Sequence, residues 1–199
     1  LDLPGSGNGS AAVWTQTAYL QAADAKSQTR WLLAIDIESG KTLWKRSQSF
    51  PLYPIHEFSS YASSTPYVDE SGIYNVWGSP NALIVEAYRQ DGELIWRRDL
   101  GPYVSQHGYG GSPIRVGDAV IVFDSQDAQE LPPGVPPGHE RIVALDFQTG
   151  STLWEQQLTP TRVCYGVPCV VQMDGRQAIL NANTADGFFA LDVTSGQVL

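Results

Sequence analysis

Methionine is nearly absent from this 199-residue chain, with one copy, and cysteine is scarce, with two. Positive charge is also short: 12 Lys and Arg stand against 21 Asp and Glu, a formal net charge of −9. That balance argues against a nucleic-acid surface, because phosphate binding rests on Lys and Arg neutralisation. No apolar run approaches the roughly 18 residues that a membrane-crossing helix needs. No phosphate loop, nucleophile elbow or His-x-x-x-His spacing occurs, so no metal site is expected. The opening Leu1-Asp2-Leu3-Pro4 carries no initiator Met, basic region or apolar leader, and the chain reads as a mature chain or a cut piece.

What is abundant is turn and ring. The chain holds 19 Gly, 13 Pro, 9 Tyr and 6 Trp, with 42% hydrophobic and 17% charged residues. Such a composition can bury a core and suggests an all-β chain of frequent reversals. The turns recur. Ala34-Ile35-Asp36-Ile37-Glu38-Ser39-Gly40-Lys41-Thr42-Leu43-Trp44 matches Ala144-Leu145-Asp146-Phe147-Gln148-Thr149-Gly150-Ser151-Thr152-Leu153-Trp154. A weaker copy runs from Ala87 to Trp96, with Arg89 where the others have Asp, and the chain closes on Ala190-Leu191-Asp192-Val193-Thr194-Ser195-Gly196. The glycines Gly40, Gly92, Gly150 and Gly196 stand 52, 58 and 46 residues apart. A second marker precedes each copy, as in Thr65-Pro66-Tyr67-Val68, Ser112-Pro113-Ile114-Arg115-Val116 and Val167-Pro168-Cys169-Val170-Val171. Two markers recurring in phase, with variable length between them, describe a repeat array with insertions in loops.

One unit reads as four strands. In the third copy these are Ser112–Val116, Ala119–Phe123, Arg141–Asp146 and Thr152–Glu155, with Gly117-Asp118 and Thr149-Gly150 as turns. The aspartates Asp36, Asp146 and Asp192 are placed to bond backbone donors of the turn that follows. Trp44, Trp96 and Trp154 each offer a flat face to the next unit. A four-stranded sheet cannot cover both its faces alone, and radial stacking of sheets solves that. The expected fold is therefore an all-β β-propeller of four blades of four antiparallel strands, incomplete or partial. Its blades lie at about 9–46, 64–98, 111–156 and 166–199 of one domain or fragment.

The Ala-x-Asp-x-x-x-Gly-x-x-x-Trp segments resemble the tryptophan-docking motif of quinoprotein-like (pyrroloquinoline-quinone-type) β-propellers, and the resemblance covers essentially the whole chain. Tyr61-Ala62-Ser63-Ser64-Thr65-Pro66, Arg97-Arg98-Asp99-Leu100-Gly101-Pro102 and His107-Gly108-Tyr109-Gly110-Gly111-Ser112-Pro113 are similar to bacterial extracytoplasmic repeat proteins of the barrel-assembly-lipoprotein type. The resemblance implies a location outside the cytoplasm. It covers both scaffolds that work by protein contact and quinone-dependent alcohol or sugar dehydrogenases, so it implies a fold more firmly than an activity.

The loops before the first strand of each blade gather on one face. They carry Asn8, His56, Tyr61, His107, Tyr109 and Tyr165, which are placed either to converge on one ligand at a channel mouth or to cap strand ends. A quinone dehydrogenase needs calcium held by carboxylate and amide oxygens, a carboxylate base and an aromatic floor. No local pattern assigns those roles here, and the adjacent Cys-Cys pair of quinoprotein alcohol dehydrogenases is missing. Cys164 and Cys169 are either a short-loop disulfide, which needs a turn at Gly166, or two buried free thiols. The loop Asp124–Glu140, with its Pro-rich stretch Gln129-Glu130-Leu131-Pro132-Pro133-Gly134-Val135-Pro136-Pro137-Gly138, is either a polyproline-like contact segment or a tolerated insertion.

The reading is thus a non-catalytic extracytoplasmic scaffold that binds a protein or small ligand at these loops, with no assignable cofactor. The rival is a portion of a dehydrogenase dependent on pyrroloquinoline quinone and calcium. Counting four residues from Gly196 places the next Trp at position 200, inside the last strand of the fourth blade. The chain then corresponds to a fragment of a larger propeller, two chains paired as a homodimer into one ring, or a distorted four-blade closure.

Overall fold

A computed structural model describes residues 2–199. The described residues form fifteen strands and no helix, so no helix is long and apolar enough to cross a membrane. The chain divides into two compact units, one ending at Gly110 and the other Gly111–Leu199.

The first unit holds two antiparallel sheets. One is β1 (Ala12–Trp14), β2 (Thr17–Asp24), β3 (Thr29–Asp36) and β4 (Thr42–Ser49), in that order. The other is β5 (Tyr67–Asp69), β6 (Gly72–Ser79), β7 (Ala82–Tyr88) and β8 (Leu94–Asp99). The second unit repeats the plan with β9 (Ile114–Val116), β10 (Ala119–Ser125), β11 (Glu140–Asp146) and β12 (Thr152–Gln157). Its other sheet is β13 (Cys169–Met173), β14 (Arg176–Asn183) and β15 (Gly187–Asp192). That sheet has three strands where four were expected. A lone bridge between Leu191 and Val198 marks the start of the register a fourth strand follows in the other blades.

Burial follows strand position. β6 and β10 are buried along their whole length; their apolar runs are interrupted by the buried polar residues Asn75 and Ser79 in β6 and end on Asp124 and Ser125 in β10. The outermost strands β4, β8 and β12 are mostly exposed, and each turns its Trp inward. In all three, that Trp sits opposite an alanine: Ala34 with Trp44, Ala87 with Trp96, Ala144 with Trp154. A register shift follows immediately in each pair. The small partner leaves room for the indole, and the bulge twists the strand toward its neighbour.

The turn chemistry matches the repeat. Gly40, Gly92, Gly150 and Gly196 all take the left-handed conformation, with φ of 69°, 82°, 70° and 71°. The Asp36 carboxylate accepts from the Ser39 amide at 2.7 Å, Asp146 from Thr149 at 2.8 Å and Asp192 from Ser195 at 2.9 Å. The Ser39 and Thr149 hydroxyls, which also donate to Asp36 and Asp146, lead in holding those two carboxyl groups below the ordinary Asp range, with the amides adding to them; for Asp192 the Ser195 amide leads and its hydroxyl adds.

Within each unit the sheets meet face to face. Tyr19, Leu32 and Ala34 pack with Ile73 and Tyr88 in the first unit. Ile121, Phe123, Ile142 and Ala144 pack with Ile179, Phe189 and Leu191 in the second. The indole N–H of Trp44 reaches across to the Gln90 carbonyl at 2.8 Å, and that of Trp154 to the Val193 carbonyl at 2.9 Å. Each ring lies against the glycine of the next turn. A Cβ at Gly92 would sit 2.8 Å from Trp44, and one at Gly196 would overlap Trp154.

Both cysteines are free thiols, so the disulfide alternative does not hold, and neither is buried: Cys164 is half-buried and Cys169 exposed. The reason is local. Cys169 opens edge strand β13, whose residues are mostly solvent-facing, rather than a covered inner strand.

Candidate functional site

Two loops of the first unit, 50–66 and 100–110, interlock through backbone and side chain. The His56 amide donates to the Gln106 carbonyl at 2.9 Å. The Ser59 hydroxyl pairs with His107 Nδ1 at 3.0 Å, and the Ser105 hydroxyl accepts from the His107 amide at 3.1 Å. The two imidazoles face each other with centroids 4.9 Å apart and planes inclined at 47°. Asn8 joins from the N-terminal segment: its side-chain amide donates to the Phe58 carbonyl at 3.1 Å, and its backbone amide to Ser60 Oγ, also at 3.1 Å.

Phe58 is the product of this arrangement. Its amide donates to His56 Nδ1 at 3.3 Å, which makes that nitrogen the acceptor and puts the ring proton on Nε2 in the neutral tautomer. Its ring lies 5.3 Å from that of His56 and remains 81% exposed. A large aromatic ring is thus displayed on a loop whose backbone is pinned from three sides, flanked by two imidazoles, an amide and two hydroxyls. Phe58 was not among the residues the sequence picked out. A lone Phe in an irregular stretch has no periodicity to mark it as outward-facing.

The remaining candidates go elsewhere. Tyr61 is half-buried; its hydroxyl donates to the Tyr53 carbonyl at 2.7 Å and its ring packs against Phe50 and Tyr53. Tyr53 in turn donates to the Gly78 carbonyl at 3.0 Å, and burial pushes its hydroxyl up to about 12. Tyr109 is buried against Tyr103 and crosses so near Gly78 that a Cβ there would overlap that of Tyr109. Tyr165 belongs to the second unit and is 38% exposed. So Asn8, His56 and His107 meet, whereas Tyr61 and Tyr109 support the loops from beneath.

Below the loops lies a buried polar layer. Glu86, 2% exposed, accepts from Tyr88 at 2.9 Å and Gln48 at 3.2 Å and pairs with Arg97 at 3.3 Å. Arg30 stacks over the Trp77 ring at 4.7 Å and donates to Gln48 at 3.2 Å. Burial draws its guanidinium down to about 10, and Glu86 partly restores it. Burial pushes the Tyr88 hydroxyl upward, and the Glu86 charge adds to it.

The second unit has a matching network on the face of β10 and β11 opposite to Ile121, Phe123, Ile142 and Ala144. Asp124, fully buried, accepts from His139 at 2.7 Å, Arg141 at 2.9 Å and Gln126 at 2.9 Å. It pins the return of the Pro-rich loop, whose far end is tied by the Arg162–Glu130 ion pair. Pro132 to Val135 close a turn, with Gly134 at φ 85° and the Val135 amide donating to the Pro132 carbonyl at 3.1 Å. A shallow hollow of about 530 Å³, lined by Leu158, Phe188, Phe189, Val198 and Leu199 among others, lies beside β15.

Quinone chemistry requires a calcium held by oxygen ligands against the ring. Among the described residues no three His, Cys, Asp or Glu side chains converge in a metal-holding group.

The repeat, the turn geometry and the sheet order can now be set beside known proteins. Residues 28–199 match the family described as outer membrane protein assembly factor BamB. The chain belongs to that family. Among solved structures, quinohemoprotein alcohol dehydrogenase ADHIIG from Pseudomonas putida HK5 is similar, with 18% identity and a TM-score of 0.66, over 97% of this chain and 34% of that one. A europium-containing methanol dehydrogenase is similar at 15% identity and a TM-score of 0.65, over 96% of this chain and 40% of the other. BamB from Moraxella catarrhalis is 17% identical with a TM-score of 0.48, over 100% of this chain and 64% of that chain. No curated protein sequence matches significantly. At these identities the dehydrogenases show a shared fold alone, an all-β propeller plan, and the chain spans only 34% and 40% of their lengths. BamB-family membership confirms the propeller-repeat reading of the sequence.

Proposed function

We propose that this chain is a non-catalytic binding scaffold that works outside the cytoplasm and engages a protein partner or small ligand through the loops 50–66 and 100–110. The observation that carries this is Phe58, 81% exposed on a loop pinned by Asn8, His56 and His107. An exposed aromatic on a preorganised loop costs little ordering entropy on binding and suits an anchor residue. The BamB-type family supports an extracytoplasmic setting. Titration of the purified protein with pyrroloquinoline quinone and Ca²⁺, with dye-linked oxidation of alcohols and sugars as readout, tests the reading. The scaffold reading expects no saturable quinone binding and no turnover. Saturable binding with turnover would instead make the chain part of a quinone- and calcium-dependent dehydrogenase.

A further inference from the structure

The layer between the two sheets of the second unit contains a carboxyl group that no donor satisfies. Glu140 is the first residue of β11 and pairs with Ser125 across β10. The pleat places it on the same face as Ile142 and Ala144, which pack against Ile179 and Leu191 of the facing sheet. Glu140 is 1% exposed, and neither of its carboxyl oxygens has a hydrogen-bond partner. Asn183 and Ser125 lie near enough to favour its charged form, but their influence is outweighed by the burial of the group, and neither reaches the carboxyl oxygens in full hydrogen-bond geometry. Ser125 Oγ accepts from the Cys164 amide at 2.8 Å, and the Asn183 amide donates to Asp186 at 2.7 Å. The Asn181 side-chain N–H₂, two residues before Asn183 on β14, is also buried without an acceptor.

The charges acting on Glu140 are acidic. Asp186 comes from the turn between β14 and β15, and Asp124 from β10. The cations nearby are committed elsewhere: Arg141 to Asp124 and Glu155, His139 to Asp124, and Arg162 to Glu130. A bare carboxylate in such a place is costly; a neutral carboxylic acid is not.

We propose that Glu140 is a proton-operated latch between the two sheets of the second unit, closed when the carboxyl is protonated and released when it ionises. The release has a defined route outward. The Glu140 carbonyl holds the Leu158 amide at 2.9 Å, and Ser125 holds Cys164, so both ends of the loop 158–164 are tied at this one place. Ionisation draws water to the two oxygens, parts the layer at that end and loosens the loop. Cys164, which packs against the apolar layer, is then uncovered.

Burial raises the Glu140 carboxyl from 4.5 to about 7. The folded state thus holds a proton that the unfolded chain has lost, and stability falls as pH rises between those values. The test is urea unfolding of the wild type, Glu140→Gln and Glu140→Met from pH 5.5 to 8.5. Alkylation of Cys164 relative to Cys169, read by mass spectrometry, accompanies it. The wild-type unfolding constant should rise about thirty-fold more across that range than in either variant, by linkage from those two values. The Cys164 to Cys169 alkylation ratio should rise with pH in the wild type only. Parallel profiles in all three proteins, or an unchanged alkylation ratio, would overturn the latch. So would a wild-type pH dependence abolished by millimolar Ca²⁺, since a cation rather than a proton would then be the natural occupant.

Discussion

Replacing Gly92 by alanine tests how one blade holds the next. Two costs add at that position. An L residue at φ 82° costs about 1–2 kcal/mol, because its Cβ crowds the following carbonyl. The new Cβ would also lie 2.8 Å from Trp44 Cδ2 and 3.0 Å from Trp44 Cε2, so the indole must move. Moving it breaks the bond from Trp44 Nε1 to the Gln90 carbonyl, worth about 1 kcal/mol. It also disturbs the packing on Tyr19, 5.9 Å away between ring centroids, for about 1 kcal/mol more. Gly40 supplies the control, since it has nearly the same φ, 69°, and nothing within 4 Å of the added methyl. Gly40→Ala should therefore cost about 1 kcal/mol and Gly92→Ala about 3 kcal/mol. Urea denaturation followed by circular dichroism measures both. In a Trp44→Ala background the Gly92→Ala cost should fall to that of Gly40→Ala, a coupling of about 2 kcal/mol. Equal costs at the two glycines, or no coupling to Trp44, would refute the reasoning.

Other expectations follow from the same contacts. Trp154→Phe keeps a ring but loses the bond to the Val193 carbonyl, and should lower the midpoint of the second unit's unfolding by an amount equivalent to about 1–2 kcal/mol. Glu86→Ala leaves the buried Arg30 without its compensating charge and should cost about 3 kcal/mol by the same assay, whereas Arg89→Ala, in an exposed ion pair with Glu93, should change little. The turn carboxylates Asp36, Asp146 and Asp192 have depressed values, so their contribution is present above the unfolded Asp pKa and is lost as pH falls through the lower folded values. Asp146→Ala should accordingly flatten the acid limb of a thermal-melt series below about pH 4. Asn8→Ala removes the bond to the Phe58 carbonyl and should speed amide exchange at residues 58–60 with no change in the global midpoint.

The blades were legible because their signals are local and repeated. Asp36, Gly40 and Trp44 each do a job set by nearest neighbours: a side-chain bond to a turn amide, a positive φ, a flat ring opposite an alanine. The strand ends were less legible. β12 runs to Gln157 because backbone pairing continues past the last apolar residue, which hydropathy does not report. The loops were least so. Position before a first strand singled out Asn8, His56 and His107, but it could not separate them from Tyr61 and Tyr109. Which side a ring takes there depends on long-range contacts, such as the approach of Tyr109 to Gly78. Glu140 carries only a weak signal: in Glu140-Arg141-Ile142-Val143-Ala144 it alternates in phase with the residues facing the next sheet, so the strand period alone predicts a buried carboxyl.

The most direct measurement of the scaffold reading is photo-crosslinking in the native host, with a crosslinking residue at position 58 and a control at the exposed turn residue Glu38. The account predicts one discrete adduct from position 58, none from position 38, and loss of the adduct when His107→Ala removes the bond that holds Ser59. Equal labelling from both positions, or an adduct indifferent to His107, would contradict it.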